Sequence, residues 1–251
     1  MAEVDRLEEI EHAPIQEAVL DVRAELPKEL ALEDVEALHG KVSRDYPDKK
    51  IQRIWQQEFR VGEALSPEAG TAGKVHGGIF RSEDGKQVVQ FRSDGYTFSR
   101  LRPYTQWEEL FPEAKRLWDV YAAWAKPLKV RRIATRYINV IELPGPKVNL
   151  DDYFTAPVPV PKDLPQELAT YMQRAVLHFP AEGIQAIVTQ SPAPPGSTQK
   201  PNTIPVLLDI DVFKVGEFSE AEAWRAFRDL RRIKNRVFRS YLTDEAIKLF
   251  Q

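Results

Sequence analysis

Apolar residues recur along this chain with two periods, two and about 3.6, and the changes of period predict its elements. Pro14 opens PIQEAVLDVRAEL, where Ile15, Val19, Leu20 and Val22 predict a strand. Leu32, Val35, Leu38 and Val42 then fall at helical offsets between Pro27 and Pro47. The stretch IQRIWQQEFRV alternates, with Ile51, Trp55, Phe59 and Val61 on one face, as a half-exposed antiparallel strand would. Asp84-Gly85 and Asp94-Gly95 each separate short apolar runs, and Asp-Gly supplies the positive φ angles of tight turns, so a three-stranded meander is expected. Leu110, Ala114, Leu117, Tyr121 and Trp124 then mark a long helix with Pro112 in its first turn.

A similar order follows. RIATRYINVIELP reads as a strand, NLDDYF as a short helix, LATYMQRAVLHF, GIQAIVTQ and IPVLLDIDVF as further strands, and the C-terminal stretch as a helix. The expected fold class is therefore α+β, with two similar, duplicated halves that each carry an antiparallel sheet and a long C-terminal helix. An acidic arm spans residues 1–13, the first half 14–127, and the second half 128–251, packed on the first because no linker separates them. The proline-rich residues 191–203 and the small residues 66–73 read as loops between strands.

Composition narrows the chemistry. The 251 residues contain no cysteine, which removes disulfides and thiolate nucleophiles and suits a reducing compartment. The acidic opening MAEVDRLEEIEH does not resemble a secretory signal, and the longest apolar runs fall far short of a bilayer span, so a cytoplasmic protein without membrane contact is expected. His12, His39, His76 and His178 lack metal-ligand spacing. Net charge is −3, so any nucleic-acid surface has to be local.

PIQEAVLDVR, RYINVIELP followed by Asp152-Tyr153-Phe154, and NRVFRSYLTDEAIKLF resemble a sporadically distributed prokaryotic family of uncharacterised proteins, over nearly the whole chain. The resemblance implies a bacterial or archaeal cytoplasmic protein, in an accessory or defence-associated setting, with no assigned activity or cofactor. Family members often carry a histidine one turn before the asparagine at Asn235, where this chain has Arg231, which weakens a catalytic role there.

Three residue sets could carry function. Arg225, Arg228, Arg232, Arg236 and Arg239 form a stripe on the terminal helix, opposite Phe227, Leu230, Ile233, Val237 and Tyr241. Guanidiniums suit phosphates or carboxylates, so the stripe reads as a solvated face neutralised by acids elsewhere, a ligand, phosphate or nucleic-acid site, or a protein interface. Glu17, Asp21, Arg23, Arg136, Tyr137 and Asn139 form a central polar set on the two first strands. A Glu17–Arg136 pair there would fix their register, or the set would line a ligand cleft. Asp209 and Asp211 share a strand face, either as its wet side or as a magnesium site of a metal-dependent enzyme. Trp55, Phe59, Tyr96 and Phe98 read as core rather than as a base-stacking platform. No phosphate loop or nucleophile elbow occurs, so the leading expectation is a binding or protein-interaction protein without catalytic residues, metal or cofactor. Its partner would be a protein or a small ligand, with nucleic acid as the alternative, and its oligomeric state is left open.

Overall fold

Strict alternation on the first strand decides which way the sheet faces. In β1 (Ile15–Glu25), Ala18, Leu20, Val22 and Ala24 are buried, while Val19, Asp21 and Arg23 between them are only half-buried. The structure, a computed structural model, describes residues 13–27, 35–54, 74–197 and 200–251. Residues 1–12 of the arm, Leu32, Trp55, Phe59, Val61 and the expected loop at 66–73 lie outside the described residues.

After β1 come α1 (Val35–Val42), β2 (Asp48–Ile54), β3 (Lys74–Arg81), β4 (Gln87–Arg92), β5 (Gly95–Leu101) and α2 (Trp107–Ala125). The chain continues through β6 (Lys129–Pro144), a 3-10 turn at Leu150–Asp152, β7 (Gln173–Phe179), β8 (Ile184–Pro192), β9 (Thr203–Phe218), α3 (Glu220–Tyr241) and α4 (Asp244–Lys248). The nine strands among the described residues form one sheet, in the order β2-β3-β4-β5-β1-β6-β9-β8-β7, and every pairing is antiparallel.

This overturns the expected duplicated strand–helix α+β arrangement: the described residues fold mainly as one large antiparallel sheet with four α-helices. The physical reason lies at the centre. β1 and β6 pair along ten positions, from Ile15↔Asn139 to Glu25↔Lys129, and so join the strands on either side into a continuous ladder. Alternation tells which side of a strand is apolar but not which strand lies beside it.

The meander is as expected, with Gly85 at φ +69° in its first turn and Gly95 at φ +147° opening β5 after the second. A Cβ at Gly95 would lie 2.0 Å from the Val22 carbonyl oxygen, so glycine is required for the close approach of β5 to β1. Pro112 sits in the second turn of α2, not its first, since the helix begins at Trp107. β7 begins at Gln173, later than the run from Leu168 suggests.

Helices α1, α2 and α3 pack on one side of the sheet. His39 of α1 stacks on Phe80, Trp118 of α2 meets Tyr96 edge-on, and Phe227 and Ile233 of α3 are wholly buried. α2 and α3 meet through Phe111 and Trp224, whose ring centroids are 5.4 Å apart, and through a Lys115–Glu220 ion pair at 3.1 Å. Tyr96 and Phe98 are core, and Tyr96 donates its hydroxyl proton to the Ala114 carbonyl. Ser219 and Glu222 form a reciprocal capping box at the start of α3. No helix among the described residues is long and apolar enough to cross a membrane.

Candidate functional site

The side of the sheet opposite α2 and α3 carries a cleft of about 500 Å³ over its four central strands β5, β1, β6 and β9, reaching β4. Its floor is built by register. Val19 lies across from Ser99 on one side and Arg136 on the other; Asp21 lies across from Thr97 and Ala134. Glu17 faces Ile138, and Arg136 faces Asp211. Small or apolar Val19, Ala134 and Ile138 thus pave the middle, and charged side chains rise around them.

Those charges form a connected lattice. Arg92 donates from Nη2 to Asp21 at 2.9 Å and from Nε to Asp94 at 3.0 Å, and it also bonds Thr97. Thr97 in turn donates to Asp21 at 2.8 Å. Arg23 bonds Asp21 at 3.2 Å and pairs with Asp94. Arg132 bridges Asp21, at 3.1 Å, and Asp211, at 3.0 Å, with its guanidinium 4.7 Å from the Phe213 ring centroid. Arg136 grips Asp209 through Nε at 2.8 Å and Nη2 at 2.5 Å. That grip, with the neighbouring Asp211 and Glu17 charges, outweighs burial and raises the Arg136 pKa.

The protonation balance is uneven across the cleft. Burial pushes the Asp211 carboxyl above the usual aspartate range, against the pull of Arg132 and Arg136. Asp94 also loses water by burial, but the Arg92 hydrogen bond and charge prevail and hold it below that range.

The expected central polar set is divided by the sheet. Glu17, Asp21, Arg23 and Arg136 line the cleft, whereas Tyr137 and Asn139 lie on the helix side. Asn139 donates its side-chain amide to the Tyr137 and Leu208 carbonyls, at 3.2 and 2.9 Å. Tyr137 hydrogen-bonds Tyr104 at 3.2 Å, and the Lys234 amine lies 4.0 Å from its ring centroid. The expected Glu17–Arg136 ion pair is replaced by Arg136–Asp209, because Asp209 projects beside Arg136 from the adjacent strand β9.

Asp209 and Asp211 do share a face, but each is held by an arginine. No group of three or more histidine, aspartate or glutamate side chains is placed to hold a metal ion among the described residues. The five stripe arginines are all exposed on α3. Arg232 approaches Glu182 at 3.6 Å and Asp229 at 3.8 Å, Arg236 lies 5.8 Å from the Phe179 ring centroid, and Arg239 pairs with Asp244. Arg225 and Arg228 form no ion pair among the described residues.

Arg92, Asp94, Thr97, Ser99 and Arg132 belong to the site but were missed by reading the sequence. A signal existed: in VVQFRSDGYTFS, Gln90 and Arg92, then Thr97 and Ser99, alternate with Val89, Phe91, Tyr96 and Phe98. No family model matches the chain, and no curated protein is similar to it in sequence.

Proposed function

We infer that the protein binds a small polar molecule on this sheet face and performs no chemistry on it. The observation that carries the reading is the Arg92–Asp21–Arg132–Asp211 lattice, withdrawn from water around an apolar floor in a cleft of ligand size. Ion pairs in such surroundings lose about as much to desolvation as they gain, so apolar residues would stabilise the sheet as well. Holding fixed donors and acceptors around a concavity is a use that apolar residues cannot serve. A cytoplasmic location suits the absence of cysteine, and the prokaryotic family resemblance at PIQEAVLDVR and RYINVIELP adds no activity to this reading.

A thermal-shift screen of charged and neutral small molecules tests it. A compound should raise the melting temperature of the native chain, and Val19→Trp, which fills the cleft floor, should abolish the shift. A hit whose shift is unchanged by Val19→Trp would place binding elsewhere and sink the proposal.

One observation favours a second reading, in which the α3 stripe binds phosphates of single-stranded nucleic acid. Arg225 and Arg228 stand exposed and outside any ion pair among the described residues, and arginine forks match phosphate oxygens.

A further inference from the structure

Five carboxylates, of Glu17, Asp21, Asp94, Asp209 and Asp211, stand with four guanidiniums, of Arg23, Arg92, Arg132 and Arg136, in and around the cleft. Each guanidinium already makes at least two bonds within the lattice. Each guanidinium keeps further N–H donors, but its charge is already matched by an aspartate, and the carboxylates outnumber the guanidiniums by one. The Glu17 carboxylate forms no hydrogen bond or ion pair among the described residues, although its charge reaches Arg136. Asp211 has one oxygen on Arg132 and the other outside any hydrogen bond among the described residues.

A second feature, independent of the acids, is Ser99. It is 3% exposed and lines the cleft across from Val19, yet its hydroxyl makes no hydrogen bond among the described residues. The side chain is largely buried but its oxygen opens onto the cavity, so a group held there can take the hydroxyl as a hydrogen-bond partner. Neighbouring strands lie about 4.8 Å apart, so a group seated over Val19 would reach both Ser99 on β5 and the Glu17 and Arg136 walls.

Resting on the small-molecule reading above, we propose that the ligand of this cleft is an organic cation, an alkyl ammonium or guanidinium, seated over Val19 between Glu17 and Asp211 with Ser99 as its neutral hydrogen-bond partner. The lattice arginines then set the site's shape and hold Asp21 and Asp209 out of the competition. An anionic ligand would meet guanidiniums committed to aspartates and an uncompensated Glu17. The missing positive charge is the ligand's own.

Calorimetric titration of the full chain with putrescine, agmatine and succinate tests this. The amines should bind and succinate should not. Glu17→Gln should weaken amine binding at least tenfold with little change in melting temperature, since the Glu17 carboxylate acts on Arg136 only through its charge and forms no ion pair among the described residues, and Ser99→Ala should weaken it less. Asp211→Asn removes an Arg132 partner and could lose stability, so Glu17→Gln is the deciding variant. Succinate binding that is lost in Val19→Trp would keep the cleft and overturn the cation. Amine binding unaffected by Glu17→Gln would also overturn it, and no binding by any of the three probes would count against both readings.

Discussion

Arg92 on β4 reaches past Thr97 of β5 to bond Asp21 on β1 at 2.9 Å, with the two side chains only 8% and 13% exposed. The pair spans three strands and ties the meander to the central strand. Losing Arg92 strips one guanidinium from Asp21, which keeps Arg23 and Arg132, so the cost falls below the roughly 3–5 kcal/mol of a buried charge left with no partner. Arg92→Met should therefore lower unfolding free energy by about 1–3 kcal/mol in urea titration, and Arg92→Met with Asp21→Leu should lose less than the sum of the two single variants. Strictly additive losses would show that the pair is not coupled.

Lys234 offers a pH test. Its amine rests on the Tyr137 ring and is pushed down to about 7, by burial first and by the Arg231 charge second. With the folded value below the ordinary 10.5, the unfolded chain binds more protons between about pH 7 and 10.5, so this group makes stability rise with pH across that window. Below 7 its full cost is present. Lys234→Met should raise the melting temperature most at pH 6 and hardly at all near pH 10.5. A gain that is the same at every pH would contradict the shift.

The α3 cap predicts a smaller effect. Ser219 accepts from the Glu222 backbone N–H while the Glu222 carboxylate accepts from the Ser219 N–H at 2.8 Å. Ser219→Ala should cost about 1 kcal/mol by denaturant unfolding, with no change in ligand affinity.

If the arginine stripe binds single-stranded nucleic acid, affinity for an oligonucleotide should fall steeply with salt. Replacing Arg225 and Arg228 with glutamine should flatten the log–log slope by about 0.7 for each phosphate that is no longer neutralised. Fluorescence anisotropy across a salt series measures it. A slope unchanged by the double variant would end that reading.

Much of the local structure was legible. The 3.6-residue spacing located α2 and α3, and period two separated core from cleft on β1. The same period already places Arg136 on the face opposite Tyr137 and Asn139, so closeness in sequence groups the three wrongly where phase separates them. What local pattern could not supply was the partner across strands. Arg136 meets Asp209, 73 residues away, and Arg132 meets Asp21, 111 residues away. Irregular pairing between Arg23 and Ala24 on β1, and between Val130 and Arg132 on β6, also sets which of Arg131 and Arg132 faces the cleft. Arg131 pairs instead with Glu25 and Glu217 in an exposed group.

Native mass spectrometry of gently purified wild-type and Val19→Trp chains shows whether the cleft over Val19 holds a small ligand. The wild type should carry an added mass of small-molecule size that is missing from Val19→Trp. The same added mass on both, or none on either, would contradict it.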